Sequence, residues 1–214
     1  MTLSLVSQTT SLTASVTPAG PLAVGDLLVT TFGNLSPGAG WTISGGPVAS
    51  WNFVLASEDV GSTILTALWW GVVNTTTTSA ITWTGGGGTV NGSCVSQFHS
   101  TLTGGTWTQD RYANAGGGSA TSGTYPSPFA TVGVEEIYVT GGIFTGTTSG
   151  STAGMVYTNW STYLTFVYGL NVPTTYTPPT WSAGSSVVYA YGAVTIYYLG
   201  GTPPASTAPI VMVV

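Results

Sequence analysis

The side chains that could perform chemistry are few and widely separated in this chain of 214 residues. It has one histidine (His99), one cysteine (Cys94), one arginine (Arg111), no lysine and six carboxylates. Acid–base, nucleophilic and metal-dependent catalysis need several such groups gathered at one site. The sequence therefore predicts no catalytic residue, no metal site and no cofactor. We expect Cys94 to be a small core residue and His99 to be a strand residue close to a loop.

The carboxylates include two adjacent acidic pairs, at residues 58–59 and 135–136. Neighbouring residues of a strand point to opposite faces of a sheet, so neither pair is arranged for paired-carboxylate catalysis. We expect the first pair, Glu58 and Asp59, to be solvated charges in a loop.

The surface of this protein must be polar without being charged. Roughly three residues in ten are serine or threonine, whereas charged residues make up 3% of the chain, against about a quarter in ordinary soluble domains. The formal net charge is −5. Binding to nucleic acid or to an acidic lipid surface needs clustered lysine and arginine, so the composition argues against both kinds of partner. Weak mutual repulsion suits a protein that packs densely beside copies of itself.

Short alternating or apolar segments bounded by glycine, proline, asparagine or serine recur along the chain, and they predict β-strands. No segment combines a helical repeat of apolar residues with capping residues. The sequence therefore predicts an all-β fold, an antiparallel β-sandwich of jelly-roll-like type with almost no helix. The clearest predicted strands are residues 26–32, 64–73, 80–84, 163–168 and 193–198.

Glycine-rich segments are predicted to form loops, because glycine contributes no side chain to a packed sheet. These segments are residues 85–88 and 116–118. The longest stretch without a strand pattern is residues 104–127, which we expect to be a surface loop or a recognition loop. It contains Asp110 and Arg111, the one pair of oppositely charged neighbours in the sequence.

We expect residues 1–200 to form a single β-sandwich domain, with the alternative of two pseudo-repeated halves of about 1–110 and 111–200. Residues 24–30 and 134–140 are alike across an offset of 110, because in each an acidic residue precedes an alternating strand. A true repeat predicts two related sets of strands that face each other.

The C-terminal segment, residues 201–214, begins with a break rich in glycine and proline and ends in an apolar run. An exposed apolar strand is a sticky edge, so the run is expected to pair either within the domain's own sheet or with a neighbouring subunit. We assign it as a candidate assembly strand, formed by Ile210, Val211, Met212, Val213 and Val214.

The eight tryptophans are further candidates for contact with a partner. Aromatic rings pack in cores and subunit interfaces, and their faces also stack on sugar rings. Trp69 and Trp70 are consecutive, so on a strand one ring faces the core and the other faces a second layer, a neighbour or solvent. We take four rings as candidate interface or glycan-stacking aromatics: Trp69, Trp70, Trp107 and Trp181.

Six short motifs are spread over most of residues 1–200. They are LSLVS at 3–7, VGDLLV at 24–29, GWT at 40–42, YPSP at 125–128, EEIYV at 135–139 and YAYGAV at 189–194. Together they resemble an all-β domain found in virion proteins of tailed phages, especially phages of actinobacterial hosts. That family comprises capsid decoration proteins, head fibres and minor tail proteins, and its motifs carry no catalytic signature.

The resemblance implies a non-enzymatic virion structural protein that stabilises or decorates the particle surface, as a capsid decoration protein or a tail component. It implies capsid or tail proteins and further copies of the chain as partners, and assembly in the host cytoplasm. The N-terminus agrees, because it lacks the basic and apolar regions of a secretory signal peptide.

Two alternatives stay open at the level of the sequence. One is a carbohydrate-binding module for host recognition, in which exposed aromatic rings hold surface glycans. The other is a subunit of a cell-surface filament or layer, for which the chain offers four N-glycosylation sequons. They begin at Asn34, Asn74, Asn91 and Asn159.

Overall fold

The chain folds into antiparallel strands joined by turns and loops. A computed structural model describes residues 3–35, 40–85, 89–127, 135–150, 154–159 and 161–200. These residues form fourteen strands and no helix, so the predicted all-β fold is confirmed, and the same residues include no helix able to span a membrane. The strands are β1 (Leu3–Ser11), β2 (Ser15–Val16), β3 (Leu27–Leu35), β4 (Thr42–Gly45), β5 (Asn52–Glu58), β6 (Ile64–Val72), β7 (Ile81–Thr84), β8 (Thr89–Ser100), β9 (Thr106–Thr124), β10 (Glu136–Phe144), β11 (Thr148–Ser149), β12 (Met155–Asn159), β13 (Leu164–Leu170) and β14 (Thr180–Leu199).

The strands are arranged in three sheets. Sheet I has the order β1-β8-β3-β6-β5, and sheet II has the order β9-β14-β10-β13-β12, with β11 paired to the start of β14. A small cover sheet, β2-β7-β4, completes the set. Sheets I and II pack face to face, because buried side chains of both form one apolar cluster, as expected for a β-sandwich.

The core has three apolar layers. The central layer, between sheets I and II, includes Leu27, Leu68 and Phe98 from sheet I, and Ile137, Phe166 and Ile196 from sheet II. A second layer fills the space between the outer face of sheet I and the cover sheet, where Phe32, Trp69 and Trp83 meet. The third layer lies on the outer face of sheet II and is rich in aromatic rings, among them Tyr125, Phe144, Trp181 and Tyr191.

Sheets I and II repeat the same strand order and the same register. Leu27 of β3 pairs with Val72 and Phe98. Ile137 of β10 lies 110 residues after Leu27 and pairs with Leu170 and Ile196. Leu170 lies 98 residues after Val72, and Ile196 lies 98 residues after Phe98. The offset of 110 residues between the two similar sequence segments is therefore the offset between the equivalent strands β3 and β10. The second set of strands begins with β9.

A β-bulge recurs at the same place in both sheets. In sheet I the pairing of β1 with β8 shifts between Leu5 and Ser7, so Val6 is the extra residue. In sheet II the pairing of β9 with β14 shifts between Gln109 and Arg111, opposite the equivalent positions of the partner strand. A β-bulge is a specific feature that related structures retain, so a bulge at the same position in both sheets supports the equivalence of the two halves.

The prediction of a loop over residues 104–127 is wrong, because most of this stretch is the 19-residue strand β9. Its partner β14, of 20 residues, pairs with it from Leu199 to Thr180, with register shifts at Thr195/Ile196 and between Ser182 and Tyr189. The glycines make this pairing possible: a side chain at Gly117 would occupy the position of the Tyr189 ring. A strand of small residues has little pattern of its own, so its partner determines its structure.

The other predicted strands are present, and each agrees with the observed β3, β6, β7, β13 or β14 to within a few residues or lies inside it. Gly85 lies outside the strands with φ of 119°, as expected for a loop glycine, whereas residues 86–88 lie outside the described residues.

Candidate functional site

The histidine is held by a buried carboxylate at the end of the sandwich where β8 ends and β3 begins. His99 Nδ1 lies 2.6 Å from Asp26 Oδ1. The second carboxylate oxygen accepts hydrogen bonds from the Gln97 side-chain amide, at 2.5 Å, and from the Ala23 backbone N–H, at 3.3 Å. Asp26 is 2% exposed, whereas the His99 side chain is 46% exposed. The carboxylate therefore fixes the ring while much of the ring faces solvent.

Strand pairing explains how residues 73 apart in sequence meet. Leu27 pairs with Phe98, so Asp26 and His99 lie one step beyond this pair at the ends of the two strands. The sequence alone does not reveal this contact, because the pattern that predicts each strand does not show which strands pair.

The Asp26–His99 pair is absent from the equivalent place in sheet II, where Glu136 lies opposite Tyr197. The pair is therefore an addition to the repeated framework and not a requirement of it. Its geometry matches the orienting half of an acid–base dyad, in which a carboxylate fixes the histidine tautomer. Among the described residues, no three His, Cys, Asp or Glu side chains are grouped to hold a metal ion.

Two cavities of about 300 Å³ each lie at this end of the molecule, on either side of Gly25 and Gly105. We call them together the end groove. The first cavity is bordered by His99 and Tyr198. The second is bordered by the rings of Trp70 and Trp107, with Ala49, Ser50, Asn52, Val72 and Thr106 around them. The groove thus combines aromatic rings with polar side chains, and the one charged residue on its border is Asp26, in the first cavity.

Three of the four candidate aromatics do not present their rings to solvent. Trp69, Trp107 and Trp181 are 4%, 6% and 2% exposed. Trp181 lines a cavity of about 630 Å³, but its ring packs against Phe144 in the outer layer of sheet II. Large apolar rings gain most by burial in the core of their own chain, and the role of these three in contact with a glycan or a partner stays a prediction.

Trp70 is the remaining candidate, and it is half-buried. As predicted, Trp69 and Trp70 face opposite sides of β6: Trp69 lies under the cover sheet, and Trp70 packs at the margin of the central layer. The Trp70 indole N–H donates a hydrogen bond of 3.1 Å to Gln109 Oε1 on β9. This bond fixes the ring at the wall of the end groove.

Asp59 is not the solvated charge that the sequence predicted, although Glu58 is exposed. The Asp59 carboxylate is 7% exposed and accepts hydrogen bonds from the backbone of Gly61, Thr63 and Ile64 and from the Thr63 hydroxyl. Burial alone would raise the pKa of this carboxyl, but those bonds hold the pKa below its ordinary value. Asp59 organises the turn between β5 and β6.

Cys94 is fully buried in the central layer, as predicted for a small core residue. Burial raises the pKa of its thiol to about 12, and a hydrogen bond with Ser96 opposes this only in part. The thiolate is the reactive form of cysteine, so this thiol is inert in the folded protein.

The sequons occupy very different environments. Asn34 is completely buried in β3, whereas Asn74 is exposed. A buried asparagine is inaccessible to a glycosylating enzyme after folding, so the sequon at Asn34 does not support a glycosylated filament subunit.

The candidate assembly strand, residues 210–214, lies outside the described residues. Its role therefore stays a prediction from the sequence. Comparison with known proteins adds no relative, since no family model, no curated protein and no solved structure matches this chain.

Proposed function

We propose that this chain is a non-enzymatic structural protein of a tailed-phage particle, which decorates or stabilises the particle surface together with further copies of itself. The observation that carries the proposal is the near absence of charge on the exposed surface. Four of the six carboxylates are buried: Asp26, Asp59, Glu135 and Glu136. The remaining charged side chains are Glu58, Asp110 and Arg111, and the last two lie within 3.8 Å of each other.

A surface of hydroxyl, amide and apolar groups has two consequences for assembly. Copies of the chain repel one another only weakly, so they can pack side by side at high density. Their contacts must rest on apolar burial and on neutral hydrogen bonds, which salt does not screen. Both properties suit a subunit repeated over a particle.

The strand edges also support lateral contacts between copies. On one side of the sandwich β5 and β9 pack together, and Ser57 Oγ donates a hydrogen bond of 2.9 Å to the Ala115 carbonyl. On the other side the outermost described strands are β1 and β12, each of which pairs with one neighbour in its sheet. Val6 of β1 and Val156 of β12 are 39% and 46% exposed. Such edges can pair with another chain.

Immunogold electron microscopy tests the location directly. An antibody raised against the purified chain is applied to particles and to cells from the source. We expect label on particles, spread over the capsid for a decoration protein or confined to the tail for a tail component. Label confined to cell surfaces or filaments would contradict the proposal.

Sedimentation velocity tests the physical basis of the proposed assembly. The purified chain should self-associate with rising concentration, and its association constant should change little between low and high sodium chloride. If the chain stays monomeric at every protein and salt concentration, the proposed self-association is wrong. If salt strongly lowers the association constant, charged groups govern the contacts between copies.

A further inference from the structure

The end groove contains an aromatic wall with neutral polar groups along its rim. In the cavity of about 300 Å³ beside β6, Trp70 and Trp107 form the wall, and Ser50, Asn52 and Thr106 contribute a hydroxyl, an amide and a second hydroxyl. The three polar residues are exposed, so their side chains are accessible to a ligand. Ligand sites commonly combine apolar walls with a few polar groups in this way.

Both indole rings are fixed in place before any ligand arrives. Trp70 donates its N–H to Gln109 Oε1 at 3.1 Å, and Trp107 donates its N–H to the Gly25 carbonyl at 2.8 Å. The Trp107 ring also meets Tyr198 edge to face, with 5.0 Å between ring centroids. Rings held by such partners lose little freedom when a ligand binds, which favours affinity.

The internal repeat shows that this combination is not required by the fold. Asn52 lies opposite Trp70 in sheet I, and the equivalent pair in sheet II is Val156 opposite Tyr168. By the same register, Leu3 of β1 is the counterpart of Trp107 of β9. The aromatic wall with an amide at its rim is therefore not repeated at the equivalent positions of the other half.

The chemistry of the lining selects the class of ligand. The residues that border this cavity include no charged side chain, so a charged ligand would find no counter-charge there. A sugar ring offers C–H groups to an indole face and hydroxyls to amide and hydroxyl side chains. We propose that the end groove binds an uncharged oligosaccharide, with Trp70 as the stacking platform and Asn52, Ser50 and Thr106 as hydrogen-bonding partners.

The cavity bordered by Asp26, His99 and Tyr198 provides room for a further sugar unit. It shares Gly25 and Gly105 with the cavity beside β6 and has a similar volume. Asp26 fixes the His99 ring through one nitrogen, so the exposed part of that ring can contact a ligand hydroxyl. The Asp26–His99 pair thereby acquires a positioning role at the far end of the groove.

Nuclear magnetic resonance of the tryptophan indoles tests the site at the level of residues. The chain is labelled with ¹⁵N-tryptophan, and the Trp70 signal is assigned with the variant Trp70→Phe. The probes are maltohexaose, cellohexaose, xylohexaose, mannohexaose and N-acetylchitohexaose, each added separately. We expect at least one of them to shift the Trp70 and Trp107 signals, while the signals of the core rings Trp83 and Trp181 stay in place.

Variants then identify the binding surface. Trp70→Ala should weaken binding of the active hexasaccharide by about tenfold or more, because the platform is lost. Asn52→Ala, at an exposed position, should weaken it less and leave the fold intact. The matched control is Tyr112→Ala, which removes a ring that is 58% exposed on β9, away from the cavity lining.

Several outcomes would overturn the inference. They are no indole shift with any of the five probes, shifts confined to rings outside the groove, or equal affinity in the native chain, Asn52→Ala and Trp70→Ala. The sugar site and the proposed virion role can fail separately. If the chain is a particle protein without a sugar site, the particles still bind the gold-labelled antibody. If the chain is a cell-surface protein with a sugar site, the indole signals still shift when the sugar is added.

Discussion

At the scale of single residues, three of the six carboxylates of this chain serve as internal hydrogen-bond acceptors. Asp26 holds Gln97 and His99, Asp59 holds the turn after β5, and Glu135 accepts a hydrogen bond of 3.1 Å from the Ser100 hydroxyl. A buried carboxylate is tolerated only when such donors replace the water it loses. This use explains why so many of the acidic residues are absent from the surface.

Asp59→Asn should destabilise the folded protein by about 1–3 kcal/mol at neutral pH, because an amide nitrogen replaces an oxygen that accepts backbone hydrogen bonds. The pKa of Asp59 is lowered by folding, so its contribution is present above the unfolded-state pKa of about 4 and is lost as the pH falls through the folded-state pKa. Urea unfolding at neutral and acidic pH measures the difference.

The matched control is Glu58→Gln, which changes the exposed neighbour in the same acidic pair. It should alter the free energy of unfolding by less than about 0.5 kcal/mol at either pH. If the two variants behaved alike, or if the Asp59→Asn penalty persisted unchanged in acid, the carboxylate would not be the group that organises the turn.

At the scale of the elements, glycine allows sheets I and II to approach closely. A side chain at Gly33 of β3 would collide with Leu164 of β13 and would come within 3.0 Å of Ile143 of β10. Gly33→Ala should therefore destabilise the protein by about 1–3 kcal/mol through overpacking. Gly118→Ala is the control, because the space around Gly118 in β9 is open. Equal thermal stability of the two variants would contradict this account.

The proposed assembly segment makes a second prediction about an element. Deleting residues 208–214 should lower the self-association constant about tenfold or more, equivalent to about 1.4 kcal/mol, because a neighbouring subunit loses the apolar strand. The far-ultraviolet circular dichroism should keep its β-sheet form, since strands β1 to β14 lie outside the deleted segment. Val211→Asp keeps the length and should act in the same direction. Unchanged association of both variants would exclude the segment from the interface.

The elements also show which features can be predicted from the sequence. The strands β3, β6 and β13 carry apolar or alternating patterns that are visible without a structure. The strand β9 carries no such pattern, because its pairing with β14 and the fit of Tyr189 over Gly117 determine its conformation. The end groove could not be predicted from the sequence for the same reason. Its residues Asp26, His99, Trp70 and Trp107 come together only through strand pairing.

At the scale of the whole molecule, the two halves share a framework and differ in what covers it. The outer face of sheet I lies under a separate cover sheet, whereas aromatic rings form the layer on the outer face of sheet II. All eleven tyrosines of the chain follow residue 111, and several of them belong to this layer. The ends of tyrosine rings are polar, so they can close a core that faces loops and water.

The repeated framework predicts that each half is a folding unit that needs the other. A cut after Gly104, between β8 and β9, leaves each of sheets I and II on one fragment and exposes only the central layer. Mixing the two fragments should restore the near-ultraviolet circular dichroism of the intact chain and give a one-to-one complex in sedimentation. A cut after Gly61 is the control, because it separates β3 from its neighbours β6 and β8 in sheet I. Reconstitution should then fail, since β3 would have to enter between two strands of the other fragment. If the two cuts gave the same recovery, the pairing of sheets would not follow the internal repeat.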